Sequence, residues 1–252
     1  VSIITLLTDF GTADHFAGAM KGVILSINPK AVIVDITHEI PPQDIAAGAF
    51  TLLAAHSNFP TGTIHVAVVD PGVGSTRRPI VVSAGDHLFV GPDNGLFTYL
   101  YMRYVNHDYK IFHLTASQYF RESVSNTFHG RDIFAPVAAA LSNGVKPSSL
   151  GEQIRGGQIR LPVREEPTII HIDHFGNLIT DIADRAFPKG VSLAVNGRAI
   201  TTFRRFYGEA IGAADEPFVI AGSAGLLEIA VNGGSAARVL GVKRGDPVEI
   251  LT

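Results

Sequence analysis

The chain contains no cysteine. Disulfides, thiolate metal sites and cysteine nucleophiles are therefore excluded, and the composition suits a reducing, cytoplasmic setting. Long hydrophobic runs are also missing. Strand-sized runs such as Ile80-Val81-Val82 fall far short of the ~20 residues a membrane helix needs, so no membrane partner is expected. There is no surplus of positive charge: 20 Lys and Arg stand against 23 Asp and Glu, a net charge of -3. Nothing suggests a phosphate-neutralising surface, so no nucleic-acid partner is expected either. Val1 to Asp9 lacks the basic segment and cleavage site of a secretory signal and reads as a first strand. What is present is a chain of 252 residues, 46% hydrophobic and 17% charged. That is ample for a packed core in one large domain or two small ones, and it excludes disorder.

Hydrophobic periodicity divides the chain into two halves. Ile3 to Leu7, Val32 to Ile36 and Ile64 to Val69 read as buried strands. Phe16, Met20, Val23 and Ile24, and then Ile45, Ala49, Leu52 and Leu53, recur at helical spacing. This alternation predicts an α/β N-terminal domain with a mostly parallel central sheet. Ligands bind such sheets beyond the carboxyl ends of the strands, where Asp9 and Asp70 both fall. From Leu150 to Pro167 no period is visible, and the stretch reads as a linker. Beyond it short strand-like runs follow: Thr168 to Ile172, Leu178 to Ile182, Ser192 to Val195, Phe218 to Ala221, Leu226 to Val231, Ala236 to Leu240 and Val248 to Leu251. Asn196-Gly197 and Asn232-Gly233 read as hairpin turns between them. A smaller all-β C-terminal domain, a barrel or sandwich, is expected. The working boundaries are 1–160 for the first domain, 161–166 for the linker proper and 167–252 for the second.

Chemistry-bearing residues gather in a few clusters. They are Thr8-Asp9-Phe10-Gly11, Asp70-Pro71-Gly72-Val73-Gly74 with Arg77, Phe128-His129-Gly130-Arg131-Asp132, Asp173-His174-Phe175-Gly176-Asn177, and Ser223-Ala224-Gly225-Leu226-Leu227-Glu228 running into Asn232-Gly233. Taken singly, each has an ordinary reading. Asp9 and Asp70 could be helix caps, His129 a structural histidine, Arg131 and Asp132 a helix terminus, and Asn232-Gly233 a turn. Asp-Phe-Gly opens the chain with no glycine-rich loop before it, which excludes a kinase. Gly72-Val73-Gly74 lacks the third glycine of a dinucleotide fingerprint. A metal-dependent hydrolase built from Asp9, Asp70, His129 and Asp132 is poorly served, because no His-x-x-x-His spacing occurs.

Together, and with Gly91-Pro92-Asp93-Asn94-Gly95, these motifs resemble in order the S-adenosyl-L-methionine hydrolase family (SAM hydroxide adenosyltransferases), relatives of the SAM-dependent fluorinating and chlorinating enzymes. The resemblance covers essentially the whole chain. It implies an α/β domain followed by a β-barrel domain. It also implies a homotrimer whose active sites lie between the first domain of one subunit and the second domain of its neighbour. The implied reaction is hydrolysis of S-adenosyl-L-methionine to adenosine and methionine, with the sulfonium as substrate and no cofactor or metal.

The resemblance carries residue roles as well. Asp9 would accept hydrogen bonds from the ribose hydroxyls, having two acceptor oxygens for a vicinal diol. Asp70, Arg77 and His129 match the water-activating set: Asp70 or His129 would orient a water and take its proton as the new bond forms, with Arg77 holding the aspartate ionised. Prior deprotonation is excluded, because water (pKa ~15.7) is far too weak an acid for aspartate (~3.9). Arg77, rather than the adjacent Arg78, matches by spacing. Phe128 and Gly130 would line the nucleophile pocket. Asp173 would bind the methionine ammonium and Ser223 its carboxylate. Asn177, Asn232 and the backbone of Gly233 would meet the adenine, with Phe175 and either Tyr207 or Phe206 as aromatic walls. Glu228 belongs to the same set. Ala224 stands where the fluorinating relatives carry arginine, which leaves the carboxylate's partner open. A carboxylate ~4 Å from a halide would repel it by ~1 kcal/mol in water and ~4 kcal/mol at an effective dielectric of 20, which favours water over halide. Two other readings stay open at this level: a sister halogenating enzyme, and a non-catalytic adenosine or S-adenosylmethionine sensor.

Overall fold

The structure is a computed structural model that describes residues 2–106, 109–156, 159–162, 165–186, 192–210 and 215–251. The chain folds as two compact units, Val1–Leu161 and Pro162–Thr252.

The first unit is built on seven strands: β1 (Ile3–Thr8), β2 (Val32–Thr37), β3 (Ile64–Val68), β4 (Pro79–Ala84), β5 (His87–Pro92), β6 (Lys110–His113) and β7 (Gln153–Ile154). They form one sheet in the order β2-β1-β3-β5-β4-β6-β7. The pairings from β2 through β1 and β3 to β5 are parallel. Those from β5 through β4 and β6 to β7 are antiparallel. The sheet is therefore mixed rather than mostly parallel. The physical reason is Gly85-Asp86, a two-residue connection between β4 and β5 with φ of 55° and 63°. Positive φ at both positions makes the tight turn whose twist matches an antiparallel pair.

Helices α1 (Phe16–Ile27), α2 (Ile45–His56), α3 (Thr98–Arg103) and α4 (Ala135–Ser142) cover the sheet. Successive strand residues point to opposite faces. Leu6, Val66 and Val68 accordingly pack with Met20, Ile24, Phe134 and Val137. Leu7, Ala67 and Val69 pack with Ala49, Leu52 and Leu100 on the other side. Each large aliphatic side chain so buried contributes roughly 1.5–3 kcal/mol. Part of the stretch that reads as linker belongs to this unit. β7 adds to the sheet edge, and the Leu161 amide donates to Thr98 Oγ1 at 2.9 Å.

The second unit holds β8 (Ile169–Ile172), β9 (Leu178–Ala183), β10 (Ser192–Val195), β11 (Arg198–Ile200), β12 (Phe203–Arg204), β13 (Pro217–Ala221), β14 (Leu226–Val231), helix α5 (Ala236–Leu240) and β15 (Glu249–Leu251). The strands form a five-stranded sheet, β12-β13-β14-β9-β8, and a three-stranded one, β11-β10-β15. Among the described residues they do not close into a single barrel sheet. Ile169, Leu178, Leu193, Val219, Ile229 and Leu240 share one core. Asn196-Gly197 makes the expected hairpin turn, with φ of 51° and 72°. The run Ala236 to Leu240 is a helix instead of a strand. The Ser235 hydroxyl caps it by accepting from the Arg238 amide, and Gly241 ends it in the left-handed conformation at φ 63°. Asn232-Gly233 is a two-residue turn closed by one antiparallel bridge, Val231 to Gly234, but it feeds a helix rather than a second strand. Among the described residues no helix is long and apolar enough to cross a membrane.

Candidate active site

The parallel strands β1 and β3 run in register, with Thr8 beside Val68. Asp9 and Asp70, one and two residues further on, therefore leave neighbouring strand ends. Asp9 is anchored there by its Oδ2, which accepts from the Gln43 amide at 2.7 Å.

Asp70, Arg77 and His129 form one connected group. Arg77 Nε donates to Asp70 Oδ1 at 3.0 Å, and Arg77 Nη2 donates to Asp70 Oδ2. Arg77 Nη2 also lies 2.8 Å from His129 Nδ1. Both charged side chains are only 4% exposed. Arg77 further stacks over Phe134, 5.5 Å from the ring centroid. Arg78 points elsewhere and pairs with Asp93 at 2.7 Å. The arginine selected by spacing is the one that meets Asp70.

A proton count fixes the roles open to this group. A guanidinium has five N–H bonds and no acceptor. Three are engaged as above, and the buried Nη1 has no partner among the described residues. Because Arg77 can only donate, His129 Nδ1 accepts, and the imidazole proton sits on Nε2. Burial and the adjacent Arg77 push the His129 imidazole below its ordinary value, against smaller opposing pulls from Asp70 and Asp132. The group thus combines one anion, one cation and one neutral ring. The halide repulsion expected from Asp70 alone is offset by Arg77, so charge by itself does not separate water from halide here.

His129 precedes a π-helical turn, Gly130–Phe134, that leads into α4. Wide turns of this kind often mark functional sites. Phe128 is buried in an aromatic cluster, 5.7 Å from Phe10 and 5.1 Å from Phe16 between centroids. Gly130 fills a tight spot, since a Cβ there would come within 3.1 Å of Met20 Sδ and 3.3 Å of Phe128. Asp132 is fully buried and holds the preceding loop, accepting from the Ser125 amide at 2.9 Å. Burial pulls its carboxyl upward, but Arg131 and Ser125 outweigh that and leave it below the usual carboxylate range. Asp132 is therefore a structural anchor, as the helix-terminus reading expected.

The second unit carries the other cluster, around a cavity of about 700 Å³. Asp173, Phe175, Asn177, Tyr207, Asn232 and Gly233 all line it. Asp173 organises a tight turn: its Oδ1 accepts from the Phe175 and Asn177 amides at 2.9 and 2.8 Å, and its Oδ2 from Asn177 Nδ2 at 2.8 Å. Phe175 stands out at 73% exposure. Tyr207 donates to Glu228 Oε2 at 3.1 Å. Burial and nearby Glu228 push the Tyr207 hydroxyl up to about 12. Burial, with Asp173 nearby, also holds Glu228 above the usual carboxylate range.

Phe206 is not part of the lining, and neither is Ser223, which is exposed at the β13–β14 turn. Two residues that the sequence reading missed, Ser235 and Arg238, do line the cavity. The signal was Gly-Gly-Ser before an apolar run, a helix start rather than a strand start. Among the described residues no three His, Cys, Asp or Glu side chains are arranged to hold a metal ion.

Comparison with known proteins accords with this layout. Residues 4–151 match the family model of the SAM hydroxide adenosyltransferase N-terminal domain, and residues 167–249 match that of the C-terminal domain. A relative from Thermus thermophilus, named (R)-S-adenosyl-L-methionine hydrolase, is 39% identical over 98% of this chain and 99% of its own. A fluorinase from Nocardia brasiliensis is more distant, 26% identical over 71% of each chain. The crystal structure of a conserved protein from Thermotoga maritima superposes with a TM-score of 0.89 at 35% identity, covering 99% of this chain and 100% of that one. With both units matched in order and nearly end to end, the chain belongs to the SAM hydroxide adenosyltransferase family.

Proposed function

We propose that this chain hydrolyses S-adenosyl-L-methionine to adenosine and L-methionine, by in-line attack of a water on the ribose 5′ carbon. The sulfonium configuration is taken to be R, as in the name of the Thermus thermophilus relative. The observation that carries the reading is the buried Asp70–Arg77–His129 group, which joins a carboxylate, a guanidinium and an imidazole just beyond the end of β3.

In this mechanism Asp9 grips the ribose hydroxyls. His129 Nε2–H donates to the water oxygen and orients a lone pair toward the 5′ carbon. Asp70 takes the water's proton as the C–O bond forms. Arg77 occupies one lone pair on each Asp70 oxygen, and a carboxylate oxygen has two, so acceptor capacity remains. The C–S bond breaks on the opposite side, and its electron pair neutralises the sulfonium. The products are adenosine, methionine and one proton. Alignment of this kind can lower a barrier by several kcal/mol, up to ~7–11 in favourable cases. His129 is a poor general base, because its Nε2 already carries the proton.

Asp173 is assigned to the methionine ammonium, Ser223 to the carboxylate, and Asn177, Asn232 and Gly233 to the adenine. Phe175 and Tyr207 are the aromatic walls, and Phe128 and Gly130 border the water. The reading includes a homotrimer in which the first domain of one subunit and the second domain of its neighbour complete each site. It also includes a barrel-like second domain, a cytoplasmic location and no cofactor.

Chromatography of the purified protein with each sulfonium epimer, with and without chloride or fluoride, tests the proposal. Equal amounts of adenosine and methionine are expected, undiminished by chelator, with label from H2¹⁸O entering the adenosine 5′ hydroxyl. A 5′-halo-adenosine product would establish a halogenating enzyme instead. Stoichiometric retention of intact substrate would establish a sensor.

A further inference from the structure

Adjacent arginines create a problem of choice. Arg77 and Arg78 both lie near the start of β4, and two buried carboxylates, Asp70 and Asp93, are within reach of this segment. Neighbouring side chains of an extended segment point to opposite sides, so a small change in the path of the 70–78 loop would exchange which guanidinium faces Asp70. Within the loop, hydrogen bonds are short-range: Val73 N to Asp70 O and Ser75 N to Gly72 O, both at 3.1 Å. They shape the loop but do not fix it to the sheet. That is done by two consecutive residues just beyond β5. Asn94 Nδ2 donates to the carbonyl of Val69, the residue before Asp70, at 2.8 Å. The Asp93 amide donates to the carbonyl of Arg78, the residue after Arg77, at 2.9 Å. The Asp93 carboxylate receives Arg78 Nε and Nη2 at 3.2 and 2.7 Å. The Asp93 side chain is 2% exposed and that of Arg78 17%, so this pair is well removed from solvent.

We propose that Asp93 and Asn94 are positioning residues that clamp both ends of the 70–77 loop, with Asp93 sequestering Arg78 so that Arg77 alone meets Asp70. Neither residue touches the reacting atoms in the proposed mechanism. The kinetic part of this inference rests on the hydrolytic reading; the geometric part does not. Neutralising Asp93 leaves a largely buried guanidinium uncompensated, which is strongly unfavourable. With Asp93 neutral, two adjacent guanidiniums are left with one carboxylate, and Arg78 competes with Arg77 for Asp70. Asp93→Asn is therefore expected to hand Asp70 to Arg78 and to detach His129 from its donor. Removing the charge of Arg78 at the same time abolishes the competition.

Three variants test this: D93N, the double variant R78Q/D93N, and N94A. In a crystal structure of D93N the Arg77 Nε–Asp70 bond should be lost; in R78Q/D93N it should return. An intact Arg77–Asp70 pair in D93N overturns the proposal whether or not the protein has activity. In turnover assays D93N should lower kcat by about 10- to 100-fold while changing KM by less than about threefold, as expected when alignment rather than binding is lost. R78Q/D93N should recover kcat to within about threefold of the parent. A double variant no better than D93N, or a loss that follows only the folded fraction in thermal melts, overturns it. Should D93N fail to fold, N94A removes the other half of the clamp and should show the same kcat-only loss. A parent chain that releases no adenosine would sink the hydrolytic reading, and the crystallographic comparison would then decide the clamp alone.

Discussion

Strand β3 carries a polar network at each end, and the two are built on opposite principles. At its carboxyl end Asp70, Arg77 and His129 are ionised or beside ions, and one buried donor, Arg77 Nη1, has no partner among the described residues. At its amino end His65 is fully buried and neutral. His65 Nδ1 lies 2.8 Å from Thr5 Oγ1 and its Nε2 lies 3.2 Å from His87 Nδ1. His56, packed edge-on against both His65 and His87, satisfies its own nitrogens with the Leu53 carbonyl at 2.8 Å and the Tyr104 hydroxyl at 3.0 Å. Burial pushes His65 down to about 3, with His87 and His56 adding to the shift. Burial also lowers His56 and His87. Both ring nitrogens of His65 and of His56 have partners, as expected of groups that only fill a core. At the other end the network is left open at Arg77 Nη1 among the described residues. A histidine's burial therefore says little about its role; the state of its neighbours' hydrogen bonds says more.

The largest expected effect breaks the open end. Asp70→Asn should cut turnover by about 100- to 10,000-fold, the usual worth of a positioned proton acceptor. Substrate affinity measured by calorimetry should change little, and a large affinity loss with turnover intact would show that the role is wrong. The closed end should respond in stability instead. Unfolded histidine binds its proton near pH 6.5, and folded His65 only near pH 3. Between those values the unfolded state holds more protons. Stability is therefore complete above pH ~6.5 and falls as the pH drops toward 3, by up to ~1.4 kcal/mol per pH unit for each such histidine. His65→Gln should flatten that slope between pH 5 and 6.5 in urea titrations; an unchanged slope would mean that His65 is not the proton acceptor. The smallest effect sharpens the contrast: Thr5→Val should cost about 1 kcal/mol through the lost hydrogen bond, with kcat unmoved. A change in kcat would show that the two ends communicate along β3.

The reach of the sequence can be judged from particular segments. Asp9 and Asp70 were placed correctly beyond strand ends because an apolar run stopping at an acidic residue is a local signal. Strand direction is not local, so Ile80 to Val82 reads as a strand without revealing that it runs antiparallel. The Gly85-Asp86 turn was the cue. Ala236 to Leu240 misled because five residues, four of them apolar, are too few to reveal a period; the capping Ser235 and the closing Gly241 held the information. The pairing of Arg77 with Asp70 follows from the family resemblance alone, and the fold brings the two together. The His65–His87 contact joins residues 22 positions apart through sheet order, and nothing in either local segment announces it.

The π turn at Gly130–Phe134 has a consequence for how this protein can vary. Such a turn holds one residue more than the regular spiral, and each residue of a helix rotates the chain by about 100°. Deleting a single residue there would let the backbone settle into ordinary winding while swinging the imidazole about a quarter-turn from its guanidinium. Length in this short stretch is thus tied to chemistry: substitutions can be absorbed one at a time, but a shortened version should fold readily and do nothing.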